Sequence, residues 1–192
     1  MRRLITLWTL GLVLCLTIGF ALPSFASVDP DQLGKAVIEI ERLDQMRSGL
    51  ASTLEGMTEE PTIGTFKAVC APVGKQAQQI AQENGWQLRQ VSDKYRNPLH
   101  KPQNLTEETA LAEFREHPDL QGFWQQDEQG VRYFRRINVE ASCLACHGVK
   151  EDRPSFVKSK YPEDLAYDFR VGDLRGMYSL IIPELQKALT EK

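Results

Sequence analysis

The sequence predicts an α+β fold in which helices come first and an antiparallel sheet follows. Apolar residues recur at three- and four-residue steps through the first half, which is typical of amphipathic helices. In much of the second half they alternate with polar residues, which is typical of half-buried strands. The 192 residues suffice for one domain with a hydrophobic core, and 42% apolar and 26% charged residues exclude a disordered or collagen-like chain.

The first 26 residues have the pattern of a secretory signal peptide. Arg2 and Arg3 give a basic start, residues 4–22 form an apolar run, and Ser24 and Ala26 are small residues before a cut after Ala26. An uncleaved anchor is the alternative, because about 20 apolar residues can span a bilayer. We predict a signal peptide over residues 1–26, a single mature domain over residues 27–192 without a membrane span, and export to the periplasm or the thylakoid lumen.

The charge balance argues against one class of partner. The chain has 23 Lys and Arg residues against 26 Asp and Glu residues, a formal net charge of −3. Loss of Arg2 and Arg3 with the signal peptide leaves the mature chain at −5. A nucleic-acid-binding domain normally shows a basic stripe, so we expect no nucleic-acid partner.

A long first helix is predicted after the signal peptide. Asp29 is a favourable N-cap, and Pro30 fits the first helical position. The apolar positions that follow have helical spacing: Leu33, Val37, Ile40, Leu43, Leu50, Leu54 and Met57. They predict one amphipathic helix that ends near Gly56.

A second helical stretch covers residues 62–84, and Gly85 can cap its end. Pro72 lacks a backbone N–H and disfavours a helical residue before it, so a kink is expected just after Cys70. The spacing places Cys70 on the apolar face of this stretch, with Val73, Ala77 and Ile80. We therefore expect the Cys70 side chain to point inward.

A β-hairpin is predicted from residues 122–126 and 131–139. In its second arm Val131, Tyr133, Ile137 and Val139 share one face, Arg132 and Arg136 share the other, and Arg135 interrupts the apolar face. The other predicted elements are a strand over 86–91, a helix from Asn104 to His117, strands over 165–169 and 177–182 around a turn at Gly172-Asp173, and a short terminal helix from Pro183.

The segment Cys143-Leu144-Ala145-Cys146-His147 is a C-x-x-C-H motif. In an exported protein this pattern is the attachment signal for haem c. Two thiols three residues apart on a helical turn can each form a thioether with one vinyl group of the same porphyrin, and the adjacent histidine then reaches the iron. The motif predicts one covalent haem c, attached at Cys143 and Cys146, with His147 as the proximal iron ligand.

Two other uses of these thiols compete with haem. A redox-active dithiol needs only the C-x-x-C part, but a thioredoxin-like arrangement places it after a first βα unit, whereas here it follows a hairpin. Structural zinc would use Cys143, Cys146, Cys70 and a histidine as a Cys₃His set. The chain has a single C-x-x-C pair, which makes zinc the remoter alternative.

The residue types leave the sixth iron ligand open. The candidates are His100, His117, Met46, Met57, Met177 and Cys70. The methionines occupy core-like positions, His117 lies at a helix end, and His100 lies in a polar loop. Cys70 is the odd thiol beside a proline, and a buried inert cysteine is its alternative role.

Several basic residues are candidates to pair with the two haem propionates, because a guanidinium binds a carboxylate bidentately. They are Arg96, Arg135 and Arg136, with Arg132 and Lys150 as further candidates. The alternative for each of them is a place on a solvated basic face.

A set of motifs spread over the mature chain resembles a known family. They are Phe66-Lys67-Ala68-Val69-Cys70, Val91-Ser92-Asp93-Lys94-Tyr95-Arg96-Asn97-Pro98, Tyr133-Phe134-Arg135-Arg136-Ile137, the C-x-x-C-H segment with Gly148, Tyr161-Pro162-Glu163-Asp164-Leu165-Ala166 and Gly172-Asp173-Leu174-Arg175-Gly176. The chain resembles the cyanobacterial single-haem c-type proteins with a PAS-like fold and His/Cys axial ligation, a family catalogued as a domain of unknown function. The resemblance implies a PAS-like sheet, thioethers at Cys143 and Cys146, proximal His147 and distal Cys70.

A cysteine thiolate pushes negative charge onto iron, so such a haem is expected to have a low reduction potential. Two functions follow as expectations. One is redox or gas sensing, in which Cys70 is displaced and a separate signalling protein reads the change. The other is electron transfer to a redox partner. The sequence shows no hydrolytic or group-transfer constellation, so we do not expect an enzyme.

Overall fold

The computed structural model describes residues 30–127 and 130–183. The predicted signal peptide, the centre of the hairpin turn and the body of the terminal helix predicted from Pro183 lie outside these residues. The helices are α1 (Pro30–Ser52), α2 (Ile63–Val69), α3 (Ala71–Asn84), α4 (Leu105–Glu116), α5 (Leu144–His147) and α6 (Ser155–Lys160), with 3₁₀ turns at Pro98–His100 and Ala141–Cys143. The strands are β1 (Gln87–Val91), β2 (Gly122–Asp127), β3 (Gly130–Asn138) and β4 (Leu174–Ile181).

The strands form one antiparallel sheet in the order β1-β4-β3-β2. The central strands pair Tyr133 with Leu180 and Phe134 with Ser179. The predicted hairpin is β2 and β3, and both its arms are confirmed. Helices followed by an antiparallel sheet confirm the predicted α+β class.

Each face of the sheet is covered by helices. Helices α1 and α3 cover one face, where Ile40, Leu43 and Ile80 pack with residues of β3 and β4. Helix α4 covers the other face through Leu111 and Phe114. Successive residues of a strand point to opposite faces. Tyr133 therefore joins the first layer and Phe134 the second.

The long first helix is present, but it ends earlier than predicted. Helix α1 stops at Ser52, and a turn with Gly56 in the left-handed region (φ 73°) follows it. Ile40 and Leu43 are buried as predicted, whereas Met57 is 40% exposed. The apolar residues with helical spacing therefore continue in the sequence beyond the end of helix α1.

The predicted break after Cys70 is confirmed, since α2 ends at Val69 and α3 begins at Ala71. Gly85 caps α3 with φ 67°, also as predicted. Val73, Ala77 and Ile80 are buried in the core. Cys70 does not join them, because it lies between the two helices and its side chain borders an open cavity instead.

The predicted strand over residues 165–169 is wrong. Its backbone N–H groups donate to residues outside the sheet: Leu165 to the Tyr95 carbonyl, Asp168 to that of Gly148 and Phe169 to that of His147. Asp168 has φ 53°, which an extended strand does not allow. The apolar pattern instead reflects the packing of this segment beneath α5, and β4 begins at Leu174, earlier than predicted.

Val139, which follows β3, does not lie where the strand alternation predicts, whereas Arg135 of β3 lies on the apolar face as predicted. A β-bulge between Ile137 and Asn138 turns Val139 away from the face of Tyr133 and into a cluster with Ala166 and Phe169. Arg135 stays on the apolar face because it pairs with helix α1, with Nε 2.6 Å from Glu41 and Nη2 3.4 Å from Asp44. Within 30–127 and 130–183, none of the helices is long and apolar enough to cross a membrane.

Candidate functional site

A cavity of about 340 Å³ lies between the α2–α3 junction, the end of β1 and helix α5. Ligand sites in proteins commonly have volumes of about 300–1,000 Å³. Its lining includes apolar side chains from α1 and α2, such as Ala51, Leu54 and Phe66. The cavity is therefore large enough for an organic cofactor.

The four residues predicted to hold haem all line this cavity. Cys143, Cys146 and His147 come from the 3₁₀ turn and helix α5 on one wall. Cys70 comes from the α2–α3 junction, more than 70 residues earlier in the chain. All three cysteines are free thiols. The fold thus brings a thiol from a remote segment to the C-x-x-C-H motif.

His147 is held through one ring nitrogen. Its Nδ1 lies 2.8 Å from the carbonyl oxygen of Ala166 and 3.3 Å from Arg96 Nη2. That Arg96 nitrogen already donates to the Cys146 carbonyl at 2.7 Å. Because Nδ1 cannot donate and accept at once, we assign it the proton that it donates to Ala166. Nε2 is then the unprotonated ring nitrogen, which is the form that binds a metal.

Burial keeps the His147 ring neutral. Desolvation, followed by the charges of Arg175 and Arg96, holds the pKa of His147 well below its usual value. The ring also meets Phe169 edge-on, with centroids 6.1 Å apart. A neutral imidazole with a fixed tautomer needs no deprotonation before it binds iron.

Asp164 organises the loop that holds His147. The carboxylate is buried and accepts from Ala166 N–H at 3.0 Å, from Arg96 Nε at 3.3 Å and from Arg153 at 3.0 Å. Arg96 in turn donates to the Cys146 carbonyl. Asp164 therefore connects Ala166, whose carbonyl accepts from His147, with Arg96, which donates to the Cys146 carbonyl. The site role of Asp164 could not be predicted from the sequence. An aspartate that accepts from the N–H two residues later indicates only a local turn.

A second ionic group fixes the start of the motif. Arg47 of α1 binds Asp44 at 2.7 Å and Glu140 at 2.8 Å, and its Nη1 lies 4.0 Å from Cys143 Sγ. Ser48 donates to Glu140 at 2.7 Å. These bonds join helix α1 to the 3₁₀ turn that precedes α5. The contact of Arg47 with the motif could not be predicted from the sequence, because no neighbouring residue distinguishes Arg47 from other arginines on an amphipathic helix.

Burial favours the neutral form of two thiols that line the cavity, those of Cys146 and Cys70. Burial raises the pKa of Cys146 to about 11, and it also raises the pKa of Cys70 although the nearby Arg96 opposes it. The Cys70 side chain is exposed where it borders the open cavity. The surrounding protein still desolvates its thiol enough to raise the pKa. Cys70 is thus accessible from within the cavity.

The predicted propionate partners divide between the cavity and other places. Arg96 lines the cavity, but Arg135 does not, since it pairs with helix α1. Arg136 lies on the opposite face of β3 and donates to the Phe114 carbonyl. Arg132 and Lys150 are also not among the lining residues. Two other arginines, Arg47 and Arg175, do line the cavity, although neither was predicted from the sequence to be a propionate partner.

The cavity also narrows the list of sixth-ligand candidates. Of the six residues considered, Cys70 and His100 line it. Met177 is fully buried in the α4 layer, and His117 lies beside Glu113 at the end of α4. His100 is half-buried, and desolvation with the charges of Arg175 and Arg89 lowers its pKa.

The site does not have the shape of a zinc site. Among the residues that the structure describes, Glu113, Glu116 and His117 are the one set of three or more possible ligands with all donor atoms within 4.8 Å of one another. The cysteines and His147 therefore do not converge on one point as a Cys₃His zinc site requires. They border a larger space, which fits a macrocycle better than a single ion.

The residues present fit a haem. Two thiols three residues apart, followed at once by a neutral imidazole with a free Nε2, are the donor set of covalent haem c. Apolar walls suit the porphyrin, and Arg96 and Arg175 add positive charge for its carboxylates.

Comparison with known proteins agrees with this description. The solved crystal structure of the cyanobacterial heme-protein Tll0287 matches with a TM-score of 0.76 and 64% sequence identity, and the match covers 83% of this chain and 99% of that chain. No curated protein matches the chain. The model of the Tll0287-like family matches residues 26–183. The chain belongs to the Tll0287-like family.

Proposed function

We propose that this protein is a haem c protein with one covalent haem. Cys143 and Cys146 would carry the thioether links, and His147 Nε2 would be the proximal iron ligand. The observation that supports this most directly is that the C-x-x-C-H motif and Cys70 line the same cavity. The bond from His147 Nδ1 to the Ala166 carbonyl leaves Nε2 as the nitrogen for a metal. The 64% identity to a cyanobacterial heme-protein supports the same cofactor.

The distal ligand in this proposal is Cys70. It lines the cavity from a different element than His147, and among the residues that the structure describes no other cysteine is left for the role once the motif is used. Bound haem would supply one-electron chemistry at its iron. Cys70 as a thiolate would favour the ferric state and a low potential, whereas a methionine would raise it.

The biological role we propose is redox or gas sensing through a partner protein. Cys70 lies at the break between α2 and α3, one residue before α3 begins and two before Pro72. Release of its side chain would remove the restraint on this junction, and a junction between two helices is an element that can take two positions. A PAS-like arrangement of the sheet belongs to this proposal.

Export also belongs to the proposal. The family match begins at residue 26, next to the expected cut after Ala26. Haem attachment to a C-x-x-C-H motif and the predicted signal peptide both favour a mature domain in the periplasm or the thylakoid lumen.

Absorption spectra of the exported protein, made together with haem-attachment machinery, test the ligands. We expect a low-spin, thiolate-type ferric spectrum for the native protein, its loss in Cys70→Ala, and no change in His100→Ala. His100→Ala is the matched control, because His100 is the other candidate on the cavity wall. A spectrum that responds to His100→Ala and not to Cys70→Ala would reverse the distal assignment. Absence of a Soret band from native protein would overturn the haem proposal.

Reduction and carbon monoxide separate sensing from electron transfer. For sensing we expect the reduced protein to bind carbon monoxide at the position that Cys70 leaves. Rapid reversible reduction without ligand change, and without carbon monoxide binding, would favour electron transfer to a redox partner.

A further inference from the structure

A third cation, Arg175, lines the cavity beside Arg47 and Arg96. Arg47 is paired with Asp44 and Glu140, and Arg96 is paired with Asp164. Arg175, at the start of β4, also lines the cavity but forms no ion pair with any of the residues described. A guanidinium taken out of water is costly unless an anion accompanies it.

The hydrogen bonds of Arg175 use one side of its guanidinium. Nη1 donates to Ser92 Oγ at 3.2 Å and to the Lys94 carbonyl at 3.2 Å. Ser92 itself donates to the Arg175 carbonyl at 2.7 Å, which fixes the serine. These bonds hold the side chain in place.

The Arg175 guanidinium also lies over the Phe169 ring, with Cζ 5.6 Å from the ring centroid, but its other side has no hydrogen-bond partner among the described residues. Nε and Nη2 have no hydrogen-bond partner in the part of the chain that the structure describes. These two atoms form the edge of an arginine that binds both oxygens of one carboxylate. Burial and the neighbouring Arg96 lower the pKa of Arg175 to about 10, although the charge of Asp164 opposes this lowering.

We propose that Arg175 binds one propionate of the haem through Nε and Nη2 and so fixes the orientation of the macrocycle in the cavity. This inference rests on the proposed haem function and adds the residue that recognises the carboxylate. It differs from the sequence-based expectation, which placed that role on Arg96, Arg135 and Arg136. Arg96 is already engaged with Asp164 and Cys146, and Arg135 and Arg136 lie outside the cavity.

Two substitutions separate the charge of Arg175 from its geometry. Arg175→Gln removes both, and Arg175→Lys keeps the charge but lacks the paired donors. Arg170→Gln is the control, because Arg170 is an exposed arginine of the same segment. The native protein and the three variants are made as holoproteins, and each is examined by resonance Raman spectroscopy in the propionate bending region and by redox titration.

We expect the propionate bending band to shift in Arg175→Gln and in Arg175→Lys and to stay in place in Arg170→Gln. At a fixed potential, the ratio of reduced to oxidised protein should fall by roughly tenfold in Arg175→Gln, because one positive charge near the haem is lost. It should stay within about twofold in Arg175→Lys. Should Arg175→Gln fail to fold, the band position in Arg175→Lys decides the question.

An unchanged propionate band in Arg175→Lys, with haem covalently retained, would overturn the inference. It would do so without touching the haem proposal, because the native protein would still hold its haem. Native protein without any covalent haem is a different result, which overturns the proposed function itself.

Discussion

At the scale of single residues, the site depends on the position of one imidazole. His147 donates from Nδ1 to Ala166, Ala166 donates to Asp164, and Asp164 also binds Arg96 and Arg153. The Asp164 carboxylate is therefore the anion of a buried network that also contains two arginines, backbone groups and the neutral His147 ring. Removing one partner of such a network leaves the other charges uncompensated.

Asp164→Asn tests this network. Asparagine keeps an acceptor for Ala166 N–H but removes the charge that faces Arg96 and Arg153. We expect the free energy of unfolding to fall by about 3 kcal/mol, as measured by denaturant titration. The midpoint potential of the holoprotein should rise, because a negative charge near the haem is lost.

Asp168→Asn is the matched control for that variant. Asp168 lies in the same loop, is exposed, and has a left-handed backbone that asparagine tolerates. We expect stability within about 0.5 kcal/mol of the native protein. Equal losses in the two variants would show that the loop responds to any change of charge and that Asp164 has no special position in it.

At the scale of elements, the contact between β4 and the end of β1 brings Arg175 to the cavity. Gly176 has φ 153°, and a Cβ there would lie 2.4 Å from the Val91 carbonyl oxygen. The strands can therefore approach at this point only because residue 176 has no side chain.

Gly176→Ala should destabilise the protein by about 2 kcal/mol or more, since it combines a disfavoured backbone conformation with a clash against backbone. Gly34→Ala should have the opposite sign, a gain of about 0.5–1 kcal/mol, because Gly34 is within helix α1 and has open space around it. Thermal or denaturant unfolding measures both. Equal stability of Gly176→Ala and the native protein would mean that β1 and β4 are not packed as described.

Arg135 connects elements and not the cofactor site. Its pairs with Glu41 and Asp44 join helix α1 to β3, and the Arg135 side chain is 12% exposed. We expect Arg135→Gln to lower the free energy of unfolding by about 2 kcal/mol, between the values for exposed and for buried pairs. The absorption spectrum of the holoprotein should not change. A spectral change with unaltered stability would return Arg135 to the list of propionate partners.

At the scale of the whole molecule, the features that could be predicted from the sequence are those that depend on neighbouring residues. The helix break at Cys70 and the hairpin depend on neighbours a few residues apart, and both are confirmed. The C-x-x-C-H motif is equally local, and its residues lie on the cavity wall. The roles of Asp164 and Arg175 depend on partners from distant segments, which spacing does not reveal. The false strand over 165–169 arose for the same reason, because its apolar residues pack on α5 and not in a ladder.

The central claim is that Cys143 and Cys146 hold a haem covalently in this cavity. The most direct test is to denature the exported protein, matured with haem-attachment machinery, and to measure whether the haem absorbance stays with the chain. We predict that it stays with the native protein and is extracted from the Cys143→Ser/Cys146→Ser double variant. Haem that is extracted from both proteins, or that neither contains, would contradict the account.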